Sequence, residues 1–379
     1  MKTKLLITGL TVLALSTLNS QLSTAFAQGS LTPPGQPAPT MKSADQIEPR
    51  TIVNAVNTPG DATSLFIIRQ PGSYYLTTNL TVSTGDGIDI NTNNVTLDLN
   101  GFTIASTAAS ATGNGILLAS GLSDITIYNG HIRGGVTNNG SGVYGGGGYN
   151  YGINWSGISP VNVLVSRVSV SGCQDYGIYL NTGDSTVVEA CTVRTVGSYG
   201  ILASTIKSCS ALDCGGEAIQ GDQVSDCRGQ SSGSAVGLFA NATALNCYGY
   251  SSSGCGLAAS TALNCFGQSG SGAGLQANNT AQNCYGYSNG SGYGIYAYFT
   301  AENCYGESSS GNGVYAATAL NCYGKSGGSG DGLYASVTAS GCFGFSSSGT
   351  GLFAFIANVC HGATDSGTAL SATHNVNSY

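Results

Sequence analysis

Ten cysteines recur at near-constant spacing, and thiols are the side chains here best suited to ligate metal or exchange electrons. Cys247, Cys265, Cys284, Cys304, Cys322 and Cys342 sit in the strings TALNCYG, TALNCFG, TAQNCYG, TAENCYG, TALNCYG and TASGCFG. Cys191, Cys209 and Cys227 precede them and Cys360 closes the series, each step spanning 18 to 20 residues. Zinc sites need converging thiolates, usually with CxxC spacing, and no CxxC occurs. Three readings stay open: small apolar fillers of a narrow core, disulfides between neighbouring repeats, and metal thiolates. Thirteen cysteines is an odd number, so at least one is unpaired within the chain. Cys173, Cys214 and Cys255 lie off the series. No metal site is assigned.

Acid–base chemistry has little material. Residues 230–379 carry only Glu302, Glu307, Lys325, Asp331 and Asp365 as charges, whereas general catalysis needs a positioned acid or base. Aromatic side chains take their place. Tyr285, Tyr305 and Tyr323 follow ladder cysteines, and rings in this position can stack on one another or offer faces to sugar rings. Upstream, His131 and Arg133 stand beside a Gly/Tyr-rich insertion, residues 134–157, that carries Tyr144, Tyr149, Tyr151 and Trp155, the one tryptophan. Aromatic-bearing long loops beside a rigid scaffold are frequent binding sites.

The elements that must position these residues follow from the period. Repetition near 20 residues signals a solenoid. Each repeat holds two short extended segments, one of the form Gly-aliphatic-x-Ala and one centred on Cys, separated by Ser/Gly turns. Alternation in a strand turns Ile295 and Ala297 to one face and Tyr296 to the other. LNGFTI, IYNGHI and VEACTV (residues 99–104, 127–132 and 188–193) match one template whose first, fourth and sixth positions point inward. Strands of this kind stack as coils of a parallel β-helix. Roughly 14 coils are expected, 18–20 residues each in the C-terminal half, giving a rod about 65 Å long at the usual strand spacing. Asn246, Asn264, Asn283, Asn303 and Asn321 precede the cysteines and read as a structural amide ladder at a bend. Glu189 and Lys207 share an outward column one coil apart and read as an ion pair.

Composition agrees with this class. The 379 residues include 58 Gly, and 8% are charged; helical bundles need far more Ala, Leu, Glu and Lys. A net charge of −7 argues against a nucleic-acid surface, which requires clustered Lys and Arg. Lys2 and Lys4, an apolar run at 5–18 and Ala25-Phe26-Ala27 read as a secretory signal peptide, residues 1–27. Residues 28–45 read as a Pro-rich spacer, and 46–379 as the folded domain. The expected destination is outside the cell or its surface, with the periplasm open, and no membrane span is expected after leader cleavage.

The segments GSYYLTTNLTV, NNVTLDLNGFTI and DYGIYL resemble the right-handed parallel β-helix repeat proteins of the pectate-lyase-like superfamily, over about residues 46–379. The resemblance implies the right-handed sense and a polysaccharide as partner. Polygalacturonase-like members would carry NTD, a paired Asp-Asp, GHG and RIK; this chain has NTGD at 181–184, no Asp-Asp pair, and GHIRGG at 130–135. Pectate-lyase-like members pair calcium-binding carboxylates with an Arg base, a role that Asp184, Asp213 and Arg194 would fill, although no spacing compels it. Calcium is therefore left open, without a supporting motif: GGSGDGLYA at 327–335 occurs once. The favoured reading is non-catalytic binding of polysaccharide or a cell-surface glycan through the aromatic columns and the insertion. The alternatives are a polysaccharide lyase or glycoside hydrolase near His131 and Arg133, and a structural envelope or adhesin rod that self-associates.

Overall fold

The computed structural model describes residues 48–183 and 185–379. The expected signal peptide and spacer, and Asp184, lie outside the described residues. Within them the chain is all-β, without a helix, and Arg50–Tyr379 forms one compact unit. Every strand but two belongs to one continuous 33-stranded sheet in which each strand pairs in parallel with its equivalent one turn away. This is a right-handed parallel β-helix of about 16 turns. The count is close to the expected 14, and the end coils lie outside the cysteine series. Thr51–Ile52 pairs with Gly72–Tyr75 at one end, and Leu370–Val376 with Leu352–Asn358 at the other.

One coil shows how the repeat builds itself. Strand Ile295–Glu302 buries Ile295, Ala297 and Ala301, and strand Tyr305–Ser308 buries Gly306 and Ser308. Tyr298 and Phe299, which face the single Ala317 of the next coil, bulge outward at the bend of the longer strand and are exposed. Between the strands Asn303 adopts a left-handed backbone (φ 51), as do Asn246, Asn264, Asn283 and Asn321. Asparagine tolerates this conformation better than most L-residues because its amide can hydrogen-bond locally. Here the amides also bond along the rod: Asn264 Nδ2 donates to Asn246 Oδ1 at 3.2 Å, and Asn283 to Asn264 at 3.2 Å.

The next residue, cysteine, points inward in ten successive coils, with relative exposures of 1–3%. All thirteen cysteines are free thiols. The column meets a backbone need as well as filling space: the Cys191 N–H donates to the Cys209 Sγ and the Cys209 N–H to the Cys227 Sγ, each at 3.4 Å. In the last coil Ser378 Oγ does the same for the Cys360 N–H, at 2.9 Å.

Two further inward columns explain the glycine and serine content. A Cβ built on Gly306 would lie 2.1 Å from the Gly313 carbonyl oxygen, and one on Gly294 would lie 2.3 Å from the Glu307 nitrogen. The same approach recurs at Gly267, Gly286, Gly324 and Gly344. Backbone meets backbone across the rod, so the C-terminal section is pinched. Two residues past Gly306 and its equivalents, a buried serine column (Ser231, Ser251, Ser269, Ser288, Ser308, Ser326, Ser346) closes the coil. Ser308 Oγ donates to the Gly292 carbonyl at 2.7 Å and accepts the Gly311 N–H at 2.9 Å. Cys173 and Cys214 belong to this column, in register with Val196 and Ser231.

The N-terminal half is wider and filled by Ile88, Leu97, Ile104, Ile116, Ile127 and Ile132. The expected insertion at 134–157 is shorter than its sequence implies. Only a hairpin leaves the rod, Gly135–Asn138 paired antiparallel with Tyr144–Gly147. Tyr151–Trp155 is a coil strand, paired with Asn114–Leu118 and Ile178–Tyr179. Glu189 and Lys207 are in register, but their heads form no ion pair; among the described residues Arg50–Asp98 and Lys325–Glu307 do.

Candidate functional site

One outward column runs the length of the rod. The register carries it from Thr103 through His131, Ser169, Thr192, Ser210 and Arg228 into Tyr248, Phe266, Tyr285, Tyr305, Tyr323, Phe343 and His361. His131 and the aromatic ladder, which look unrelated in sequence, thus share a single stripe. It begins polar and becomes aromatic at Tyr248, whose ring lies 5.3 Å from the Arg228 guanidinium carbon.

The rings of this ladder are half-buried and pack in two orientations. Phe266 and Tyr285 stack at 4.7 Å with planes 15° apart, as do Tyr305 and Tyr323 at 4.8 Å and 2°, and Tyr323 and Phe343 at 5.0 Å and 15°. Edge-on contacts at Tyr248–Phe266 (72°) and Tyr285–Tyr305 (67°) break the run. Parallel rings set one strand spacing apart can touch at van der Waals separation only when tilted, by roughly 35–45° from the rod axis. They overlap like shingles, and each leaves part of one face uncovered. Burial, then the nearby Glu307 carboxylate, pushes the Tyr305 hydroxyl up to about 12, so it stays a neutral donor at ordinary pH.

Beside the ladder lies an open groove of about 1440 Å³ that follows the corner of the rod. Its floor is the cysteine column from Cys191 to Cys322, one lip is the asparagine ladder, and the other is the aromatic ladder. It passes Asp226 and Arg228 near one end; from Tyr248 onward its lining has no charge. The Lys325 ammonium, on the neighbouring outward column, is held by Glu307 at 2.8 Å.

His131 and Arg133 are both exposed and share a shallow cavity of about 370 Å³ with Thr103, Ile132, Ser169 and Ser171. No carboxylate lines it. Arg194 follows Arg133 along the neighbouring column, with Ser171 between them. Asp213 is not brought to this cavity. Its carboxylate accepts hydrogen bonds from Asn138 Nδ2 (2.6 Å), Tyr144 Oη (2.9 Å), Thr195 Oγ1 (2.9 Å) and Ser232 Oγ (3.1 Å). Burial opposes its charge, yet these four donors outweigh it and hold the carboxyl below the usual range. Asp213 therefore latches the hairpin to the rod. Replacing Asp213 with alanine is expected to speed amide exchange across 135–147 by at least tenfold while leaving the coil strands protected. Each buried donor it orphans costs roughly 1 kcal/mol or more; unchanged exchange in the hairpin would refute the latch.

Two of the loop aromatics are corrected by their burial. Tyr149 is wholly buried in the core, against Gly87, and cannot meet a ligand. Tyr144 is half-buried and committed to Asp213. Tyr151 and Trp155 instead join a surface cluster that only the coil register reveals. Tyr176 stacks on Tyr179 at 4.5 Å, Tyr179 on Trp155 at 6.3 Å, and Tyr151 and Tyr199 flank Tyr176 at 5.3 and 5.5 Å. Burial, then Asp175 and Glu217 respectively, pushes the Tyr151 and Tyr199 hydroxyls up. The signal for this cluster was present as Tyr-Gly-Ile, repeated at 151, 176 and 199.

No family model and no curated protein matches the chain. Among solved structures it is similar to the A-module of mannuronan C-5 epimerase AlgE4 from Azotobacter vinelandii: 12% identity over 82% of this chain and 89% of that one, with a TM-score of 0.34. A second likeness is to the enzymatically active domain of tailspike protein 2 from bacteriophage CBA120. It has 14% identity over 87% of this chain but only 46% of that one, and a TM-score of 0.29.

Proposed function

We propose that this protein is an exported, non-catalytic binder of polysaccharide or cell-surface glycan, holding an extended chain along the groove. The observation that carries the reading is the continuous run of rings from Tyr248 to Phe343 facing a ladder of side-chain amides. Ring faces suit the apolar faces of sugars, and amides suit their hydroxyls. The repeat of both along the axis favours a polymer over a single sugar. With its one lysine already paired, this stretch has no free cation for a polyanion, so binding is expected to be insensitive to salt.

Affinity electrophoresis in gels containing neutral or acidic polysaccharides tests it. Retention is expected, and the Tyr305→Ala, Tyr323→Ala double variant should weaken it roughly 5-fold or more, since each ring contact contributes about 0.5–1.5 kcal/mol. A wild-type protein retained by no polysaccharide would sink the proposal. A second reading, cleavage at His131 and Arg133, is favoured by their shared cavity at the head of the same stripe. It predicts unsaturated products or new reducing ends from the retained polymer, abolished by His131→Ala.

A further inference from the structure

Of the six arginines in the chain, four are committed within the fold. Arg50 pairs with Asp98 and lies over the Tyr75 ring, and Arg69 donates to the Pro59 carbonyl at 2.8 Å. Arg167 and Arg228 lie over the rings of Tyr128 and Tyr248. The other two, Arg133 and Arg194, have no ion pair or hydrogen bond to their side chains among the described residues. Both are exposed, and they stand on one outward column with Ser171 between them in register. At one strand spacing per coil their backbones are roughly 9.6 Å apart. The long stem of arginine lets each guanidinium lean over Ser171 from its own side.

The ground around Ser171 is built of donors. Arg133 and Ser171 line both the cavity of about 370 Å³ that holds Thr103 and Ser169 and a second one, of about 300 Å³, walled by Thr137 of the hairpin and by Thr195. Among the described residues no carboxylate lines either cavity. Asp213, behind Thr195, has both its oxygens committed to the four donors that latch the hairpin. Carboxylates outnumber Lys and Arg by 18 to 11 in this chain. A patch with two unpartnered guanidiniums and no acceptor charge is therefore complementary to an anion. Guanidiniums on opposite sides, with hydroxyls beneath, aim donors from at least three directions. A carboxylate has two coplanar oxygens, which a single arginine fork fills; a phosphate or sulfate has oxygens to meet them all. We infer that Arg133, Arg194 and Ser171 form a binding site for a phosphate or sulfate group, as the free ion or as an ester on a sugar. The inference is independent of the ring groove and of cleavage, since it asks nothing of the rings or of His131.

Isothermal titration of the full-length protein with inorganic phosphate, inorganic sulfate and acetate, at one ionic strength, tests it. One saturable site is expected for phosphate and for sulfate, with a Kd of about 1 mM or tighter, and acetate should bind roughly tenfold more weakly or worse. Arg133→Gln and Arg194→Gln should each lower the phosphate affinity roughly tenfold or more, the worth of one hydrogen bond to a charged group. Both side chains are exposed, so both variants should fold. Arg167→Gln removes an equal charge from a side chain already placed over Tyr128 and should leave the affinity within about twofold. Glucose 6-phosphate separates the two sources: binding at least as tight as that of inorganic phosphate assigns the site to an esterified group, and weaker binding assigns it to the free ion. Binding of both inorganic ions weaker than about 1 mM, acetate within about tenfold of phosphate, or losses at Arg133 and Arg194 no larger than at Arg167 would each overturn the inference.

Discussion

Gly306→Ala is expected to destabilise the rod by about 3 kcal/mol or more, at or beyond the upper end for overpacking. The added methyl would sit 2.1 Å from the Gly313 carbonyl oxygen and 2.7 Å from a Val314 methyl. Neither can yield cheaply. The oxygen belongs to a backbone fixed by its own ladder, where the Ile295 N–H donates to it at 2.9 Å. Widening this coil would break register with the coils on either side, and in a solenoid those neighbours are the main source of each repeat's stability. Gly145 is the matched control: it lies in the hairpin with open space around its Cβ position, and Gly145→Ala should change little. Denaturant midpoints of both variants decide the matter. A Gly306→Ala protein within about 0.5 kcal/mol of wild type would mean that the pinched cross-section is not real.

That pinch also separates what the sequence made legible from what it hid. The inward cysteines, the asparagine bend and the outward turn of His131 could all be read from period and alternation, because each is a property of one strand. The glycine columns could not, since their reason is the approach of a different strand across the rod. In the linear sequence Gly306 and Gly313 belong to the Cys-centred and Gly-aliphatic segments, and nothing in either segment shows what approaches them. Serine misled in the same way. SSSG and SGSG read as turns between repeats, yet the first serine of each is the buried residue that ties the coil shut, and Cys173 and Cys214 seemed stray only because this column was unseen.

The candidate site divides along the same line. Tyr285, Tyr305 and Tyr323 were identifiable because one template places them all. Tyr149 was misplaced because a single buried tyrosine inside a Gly/Tyr-rich stretch has no periodic signature; what buries it is the widened core beside Gly87. Asp213 resembled a catalytic carboxylate by residue type alone. Its partners come from positions 138, 144, 195 and 232, a set that no spacing rule assembles. Both corrections reduce the chemistry available and leave ring, amide and thiol columns as the features that repeat.

Acidification from pH 7 to pH 5 is expected to stabilise the wild-type rod, and Asp89 is the principal reason. In register Asp89 stands between Ile67 and Leu117. One carboxylate oxygen accepts from Asn91 Nδ2 at 3.1 Å, while the other is buried without a partner. Burial, then the neighbouring Asp86 charge, pushes its carboxyl up to about 6 from an ordinary 3.8. The folded state therefore holds this proton more tightly than the unfolded chain. Ionised Asp89 costs stability above pH 6; the cost is relieved as pH falls through 6 and is gone below about 4. At about 1.4 kcal/mol per unit the full effect would be about 3 kcal/mol, and screening of a partly exposed carboxyl reduces it to about 1–2 kcal/mol. Asp331, also raised by burial, acts in the same direction, so the comparison must be with a variant. Asp89→Asn should be the more stable protein at pH 7, by that same 1–2 kcal/mol, and should lose a little under half of the gain by pH 5. Carboxyls held below their usual range, such as Asp213, weaken the fold only at lower pH, which leaves the window between 7 and 5 to the raised carboxyls Asp89 and Asp331. Urea midpoints for both proteins at the two pH values give the answer directly; equal pH responses would show that Asp89 is solvated and ordinary.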